Sequence, residues 1–188
     1  GQVARELARL LEDLGFNESL IPDPAPLERV SLDYVVSRAL SEFGDVLDLP
    51  QNRVSRGYLP QVKGDSEHLY RLFRHLIGNA VKFRKKHLPL VLSIDSFQGG
   101  NGVWHVLVKD NGRGFDNRDA DRIFQPFVQL EEEETRVGAG LGLTICRRIV
   151  QGLGGKISAL SEKGEGTTVI ITFPGTGDGG AQPVSQDQ

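Results

Sequence analysis

Apolar positions recur at helical spacing in three stretches of this chain and alternate in several shorter ones. Leu69, Leu72, Phe73, Leu76, Ala80 and Phe83 form a stripe that predicts a long helix capped by Asp65 or Ser66 and running through Lys86. The same spacing sets His75, Asn79, Lys82 and Lys86 on one flank of it. Val35, Val36, Ala39, Leu40 and Phe43, after Ser31-Leu32-Asp33, predict a second, N-capped helix, and Leu141 to Leu153 predicts a third. Leu27 to Val30 and Gly57 to Val62 are strand candidates. Leu90 to Asp95 and Val103 to Lys109, separated by a glycine-rich turn, predict one hairpin; Lys156 to Leu160 and Thr167 to Phe173 predict another.

The ends of the chain follow other rules. Val3, Leu7, Leu10 and Leu14 make residues 1–15 the end of a helix that packs on another helix. Pro22, Pro24 and Pro26 make residues 16–26 a linker that cannot be helical. Residues 27–174 form the globular part, and residues 175–188 carry too little apolar surface to order themselves.

Composition narrows the class. A mass of 20.6 kDa with 38% hydrophobic residues leaves room for one substantial core. The net charge of −3 excludes the basic footprint of a duplex-binding protein, so no nucleic-acid partner is expected and any bound phosphate must be held locally. The lone Cys146 supports neither a disulfide framework nor a cysteine metal site and reads as a small core residue. No apolar run approaches the roughly 20 residues of a membrane span, and the first residues lack a signal-peptide pattern, so a cytoplasmic location with no membrane contact is expected. The absence of methionine suggests a piece of a longer protein.

Four short segments carry the candidate chemistry. On the long helix, Asn79 and Lys82 project an amide and an ammonium from the edge of the core toward the same space. Asp110 follows Val106 and Val108 on one strand face, so its carboxylate points to the side that its apolar neighbours bury and needs a donor there. Gly138, Gly140 and Gly142 precede a helix whose amide-rich positive end suits a polyphosphate. No Gly-Lys-Ser/Thr follows them and no strand immediately precedes them, so they form neither a Walker loop nor a dinucleotide fingerprint. Gly164-x-Gly166-Thr167-Thr168 closes the set. Each segment alone is an ordinary turn or helix flank; their order along one chain is the signal.

That ordered set resembles the nucleotide-binding boxes of the gyrase, heat-shock chaperone, histidine kinase and mismatch-repair ATPase superfamily. The wording Leu72-Phe73-x-x-Leu76-Ile77-Gly78-Asn79-Ala80-x-Lys82-Phe83-Arg84 is similar to the phytochrome-associated group of sensor histidine kinases. The resemblance implies an α/β fold, a two-layer sandwich of three main helices over a mixed, largely antiparallel sheet of the Bergerat type. It implies ATP contacts at Asn79, Lys82, Phe83, Asp110, Gly112, Gly114, Phe115, Arg136, Gly138, Gly140, Leu141, Gly142, Leu143, Thr167 and Thr168. Among these, Asn79 would hold Mg²⁺, Lys82 a phosphate, Phe83 the adenine wall and Asp110 the adenine amino group, while Thr168 would join a water-mediated adenine network. Val128 to Val137 would be a mobile lid over ATP, with Arg136 its only cation; Glu131 to Glu134 reads as a solvated charge run.

The implied partners are a dimerisation and phosphoacceptor domain of the same protein, whose helix would end in residues 1–15, and a downstream response regulator. The full-length protein would be a homodimer. Two departures stand out. His75 occupies the place of the usual Asn, or of the water-activating Glu of gyrase-type ATPases, which leaves it as a candidate phosphate or metal contact. None of His68, His75, His87 and His105 follows the family's acceptor pattern, so the acceptor is expected outside this sequence. The alternatives are a gyrase-type ATPase, for which no carboxylate stands at the matching site, and a degenerate nucleotide-binding or docking module, for which His75 is the support.

Overall fold

The computed structural model describes residues 27–128, 130 and 140–175. It opens with β1 (Glu28–Ser31), whose last residue caps α1 (Leu32–Ser41) by accepting the Tyr34 N–H on its hydroxyl. A short helix α2 (Gly44–Leu47) and β2 (Arg53–Arg56) follow, then β3 (Gln61–Gly64), which pairs antiparallel with β1 as a separate ribbon. The Asp65 carboxylate caps the long helix α3 (Ser66–Lys82) by accepting from the His68 N–H at 2.8 Å. After it come β4 (Val91–Gln98), β5 (Trp104–Asp110), α4 (Gly142–Gly152), β6 (Lys156–Glu162) and β7 (Gly166–Phe173).

Five strands lie side by side in the order β2-β4-β5-β7-β6. β2 runs parallel to β4, and every other neighbouring pair is antiparallel. Because side chains alternate along each strand, one face of the sheet buries Leu92, Ile94, Val106, Val108, Val169 and Ile171. Val35, Val36 and Ala39 of α1, Leu69, Leu72 and Phe73 of α3, and Cys146, Ile149 and Val150 of α4 fill the other side of this core. The expected two-layer arrangement of three main helices over a mixed, largely antiparallel sheet is therefore the observed one. Burial pushes the Cys146 thiol well above its ordinary pKa, which leaves it an inert core residue.

The strand register ends this core on a polar row. Ile94, Val108, Val169 and Ala159 are successive partners across β4, β5, β7 and β6, and all four are buried. On the same face, the next row is Leu92, Asp110, Thr167 and Ser161. The apolar layer thus gives way within one strand repeat to a carboxylate and two hydroxyls.

Several elements depart from the sequence expectation. The long helix stops at Lys82, four residues short of Lys86, because the Phe83 carbonyl accepts from the Arg113 N–H at 2.9 Å instead of continuing the helical ladder. β2 was not expected: Arg-Val-Ser-Arg shows no strong apolar alternation, and it forms through parallel pairing with β4. The strand expected over Gly57 to Val62 begins later, at Gln61. The helical seam of residues 1–15, the linker of residues 16–26, the tail from residue 176, Glu131 to Glu134 and most of the expected lid lie outside the described residues.

Candidate functional site

Asp110 is the last residue of β5, half-buried where the core ends. Its Oδ1 accepts from the Gly112 N–H at 2.7 Å, and the backbone of Thr167, its partner across the sheet, also favours the ionised form. Burial nevertheless dominates and pushes the carboxyl above the ordinary aspartate range. A carboxylate has about four acceptor positions, so this one keeps capacity for a donor brought by a ligand.

The segment after Asp110 is held too tightly to carry side chains at two of its glycines. A Cβ at Gly112 would lie 2.6 Å from Asp110 Oδ1 and 2.8 Å from the Phe83 carbonyl oxygen. Gly114 has φ of 60°, and a Cβ there would lie 2.1 Å from the Glu162 carbonyl oxygen. Just before them Asn111 is a bracket: its Oδ1 accepts from the Val91 N–H at 2.8 Å and its Nδ2 donates to the Pro89 carbonyl at 2.9 Å. Phe115, packed against the core, donates its N–H to Ser161 Oγ at 2.9 Å.

Ser161 ties that segment to β7. Its hydroxyl donates to the Gly166 carbonyl at 2.7 Å and lies 3.1 Å from Thr167 Oγ1, while its own N–H donates to Asn117 Oδ1 at 3.2 Å. Thr167 shares the face of Asp110. Thr168 does not: its partners are Lys109 and Leu160, both exposed, on the opposite face of the sheet. Where the sequence reading gave the adenine-side role to Thr168, strand alternation puts Thr167 beside the carboxylate.

On α3, Asn79 and Lys82 are half-buried along the expected flank, and the helix ends on Phe83, over whose ring the Lys82 ammonium sits at 4.3 Å. One turn before Asn79, the His75 ring packs against α4: a Cβ at Gly142 would come 3.2 Å from His75 Nδ1. Burial, with the cations of Arg74 and Arg71, pushes the His75 pKa below its ordinary value, so the ring is neutral near pH 7.

The first turn of α4 has no side-chain cap. Its N-cap is Leu141, buried and without a side-chain capping bond, and Thr144 in that turn is buried with no partner for its hydroxyl. Gly140, just before, has φ of 70° and accepts the Phe127 N–H on its carbonyl. Leu143 packs against the core. Gly138 and Arg136 lie outside the described residues.

The arrangement therefore offers a half-buried acceptor with spare capacity and an uncapped helix start, with an amide and an ammonium on the neighbouring helix flank. Two observations fit a purine nucleotide: the remaining acceptor capacity of the Asp110 carboxylate and the orphaned Thr144 hydroxyl. Among the described residues no group of three or more His, Cys, Asp or Glu side chains could hold a metal. Ser161 and Asn117 escaped the sequence reading, as did the bracing role of Asn111. Ser161 fell just beyond the expected end of β6, and its pairing with Thr167 depends on a register that spacing does not reveal.

Residues 64–177 match the family described as histidine kinase-, DNA gyrase B- and HSP90-like ATPase. Over 166 residues, 88% of this chain, the sequence is 38% identical to cyanobacterial phytochrome A of Nostoc sp.. It is 30% identical over 165 residues, again 88% of the chain, to phytochrome-like protein Cph1 of Synechocystis sp.. The chain spans only 21% and 22% of the length of those two proteins. Among solved structures, the mycobacterial sensor histidine kinase MprB superposes with a TM-score of 0.69 at 24% identity, covering 79% of this chain and 97% of that one, which is a likeness of fold. No helix among the described residues is long and apolar enough to cross a membrane.

Proposed function

We infer that this chain, which belongs to the family of histidine kinase-, DNA gyrase B- and HSP90-like ATPases, is the ATP-binding catalytic module of a sensor histidine kinase. It donates the γ-phosphate of Mg-ATP to a histidine on a separate dimerisation domain. The observation that carries the nucleotide reading is the Asp110 carboxylate: half-buried, braced by backbone donors and still able to accept. An adenine amino group supplies the missing donor. The 6-oxo group of guanine would face it with a second acceptor.

The other residues follow from this anchor. Thr167 lies beside Asp110 at the adenine edge, and Phe83 with the backbone of Gly112 and Gly114 forms the walls of the base site. The uncapped N–H groups of α4, reached past Gly138, Gly140, Leu141, Gly142 and Leu143, take the phosphates with Lys82, and Arg136 is a further phosphate contact. Asn79 would hold Mg²⁺, which when bound would neutralise phosphate charge. Catalysis is then mainly positioning and charge neutralisation. In the transfer, the bond from the γ-phosphorus to the bridging oxygen breaks, ADP leaves with that electron pair, and an acceptor imidazole nitrogen forms the new bond to phosphorus.

The acceptor belongs elsewhere. The half-buried His75 packs against α4, His68 lies beside Asp65 at the far end of α3, and His105 is stacked on Phe97 on the outer face of the sheet. A dimerisation domain of the same protein, in a homodimer, is the source of the acceptor, and a response regulator takes the phosphoryl group onward. Water activation of the gyrase type is disfavoured, because the helix position that would carry its carboxylate is the neutral His75. Calorimetric titration with a non-hydrolysable ATP analogue, with and without Mg²⁺ and beside the GTP counterpart, tests the reading; equal affinity for the two bases would reject the Asp110 assignment.

A further inference from the structure

Ser161 stands on β6, across the sheet from Asp110, and Thr167 lies between them. Its hydroxyl has one proton and two lone pairs. The Gly166 carbonyl can only accept, so the bond of 2.7 Å to it uses the Ser161 proton. The Phe115 N–H at 2.9 Å can only donate, so it takes one lone pair. In the remaining contact, 3.1 Å to Thr167 Oγ1, Ser161 has only an acceptor to offer. Thr167 must therefore donate its proton to Ser161, and what Thr167 Oγ1 turns to any other neighbour is a lone pair.

We propose that Ser161 is a positioning residue that sets the purine specificity of this site, by holding Thr167 as a hydrogen-bond acceptor beside the acceptor Asp110. The proposal rests on the nucleotide reading above. Two acceptors side by side suit the exocyclic amino group of adenine and repel the 6-oxo group of guanine. Ser161 also holds both segments that brace Asp110. The Gly166–Thr167 peptide group is gripped at its carbonyl by the Ser161 hydroxyl while its N–H is on the side of Asp110, and Phe115 lies three residues beyond Gly112, the other backbone donor. Gly166 has φ of 123°, a conformation that favours glycine, and a Cβ there would lie 2.1 Å from the Asp110 carbonyl oxygen, so this turn into β7 is packed closely on the end of β5.

The test compares the whole 188-residue chain with its Ser161→Ala and Ser161→Thr variants. Affinities are measured for non-hydrolysable analogues of ATP, GTP and purine riboside triphosphate, the last having neither amino nor oxo group. In Ser161→Ala the Thr167 hydroxyl is free to reverse and donate, so the ATP-to-GTP affinity ratio falls by about tenfold, while purine riboside triphosphate binds within about twofold of the parent. Ser161→Thr keeps the hydroxyl and the parental ratio. Equal loss of all three ligands in Ser161→Ala, or an unchanged ratio, overturns the proposal. Should Ser161→Ala fail to fold, Thr167→Val decides: it must lower ATP affinity relative to purine riboside triphosphate, and no such change overturns the idea equally. A parent that binds ATP no better than purine riboside triphosphate rejects the underlying Asp110 reading, a result distinct from failure of Ser161 alone.

Discussion

The imidazole of His75 fills the space in front of Gly142 so closely that a Cβ at position 142 would come 3.2 Å from Nδ1 and 3.7 Å from Cγ. This contact joins the Asn79 flank of α3 to the first turn of α4, the two elements proposed to hold metal and phosphates. Desolvation keeps the ring neutral, so it acts there by shape and not by charge.

Gly142→Ala tests that contact. Alanine is the better helix former, by about 1 kcal/mol in a helix interior and less at Gly142, the first residue of α4, but here its methyl group meets the ring, and crowding in a packed site costs about 1–3 kcal/mol. The single variant is expected to be less stable than the parent in urea denaturation. In a His75→Asn background the smaller side chain relieves the crowding, so the same substitution becomes neutral or stabilising. Strict additivity of the two changes would show that the contact carries no coupling.

Asp110→Asn removes the charge that an adenine amino group would meet. The expected loss is about 1.5–3 kcal/mol of adenosine affinity, with the fold retained because the Gly112 and Thr167 backbone donors still find an amide oxygen. Calorimetry with adenosine, beside a circular dichroism melt, reads both quantities. Unchanged affinity in a folded variant would remove Asp110 from the base site.

The same carboxyl makes a pH prediction with opposite signs for stability and binding. Its folded pKa is raised above the ordinary 3.8, chiefly by burial. Between these two values the folded chain holds a proton that the unfolded chain has released, so this group's contribution to stability falls as pH rises through that window. Adenosine needs the ionised form, so affinity is lost as pH falls through the raised value, above the range of an exposed aspartate. A pH series of adenosine titrations is expected to show this onset in the parent and to lose it in Asp110→Asn; identical profiles would refute the link.

Much of the geometry of this candidate site was legible before the fold. The Val106, Val108, Asp110 alternation carried its meaning because a strand has a period of two and the register of β5 follows from its apolar face. The stripe of α3 located Asn79 and Lys82 for the equivalent helical reason. What escaped depended on contacts distant in sequence. The helix end at Phe83 is decided by Arg113, thirty residues on, and the placement of Thr167, not Thr168, on the face of Asp110 is a one-residue matter of register, at which every side chain changes face. Ser161 is visible only once β6 and β7 are paired.

Asn79→Ala separates the metal from the base. Asn79 is proposed to contact only the ion, so the variant is expected to bind adenosine as the parent does while losing the gain in affinity that Mg²⁺ gives an ATP analogue. Paired titrations with Mg²⁺ and with a chelator measure that gain. A parent indifferent to Mg²⁺ would favour a degenerate module and make His75→Asn the informative rescue.

Finally, donor and acceptor are proposed to lie on different domains. Incubated with labelled ATP, the chain alone is expected to bind nucleotide and to retain no acid-labile phosphohistidine. His75 is half-buried, and its ring is packed on the very helix whose first turn would grip the phosphates, beside them and not in line with the bond that breaks. Supplying the dimerisation helices in trans should restore label on a histidine absent from this sequence. Stable label on His68, His75, His87 or His105 would overturn the division of labour, and mass spectrometry of the labelled peptides identifies which.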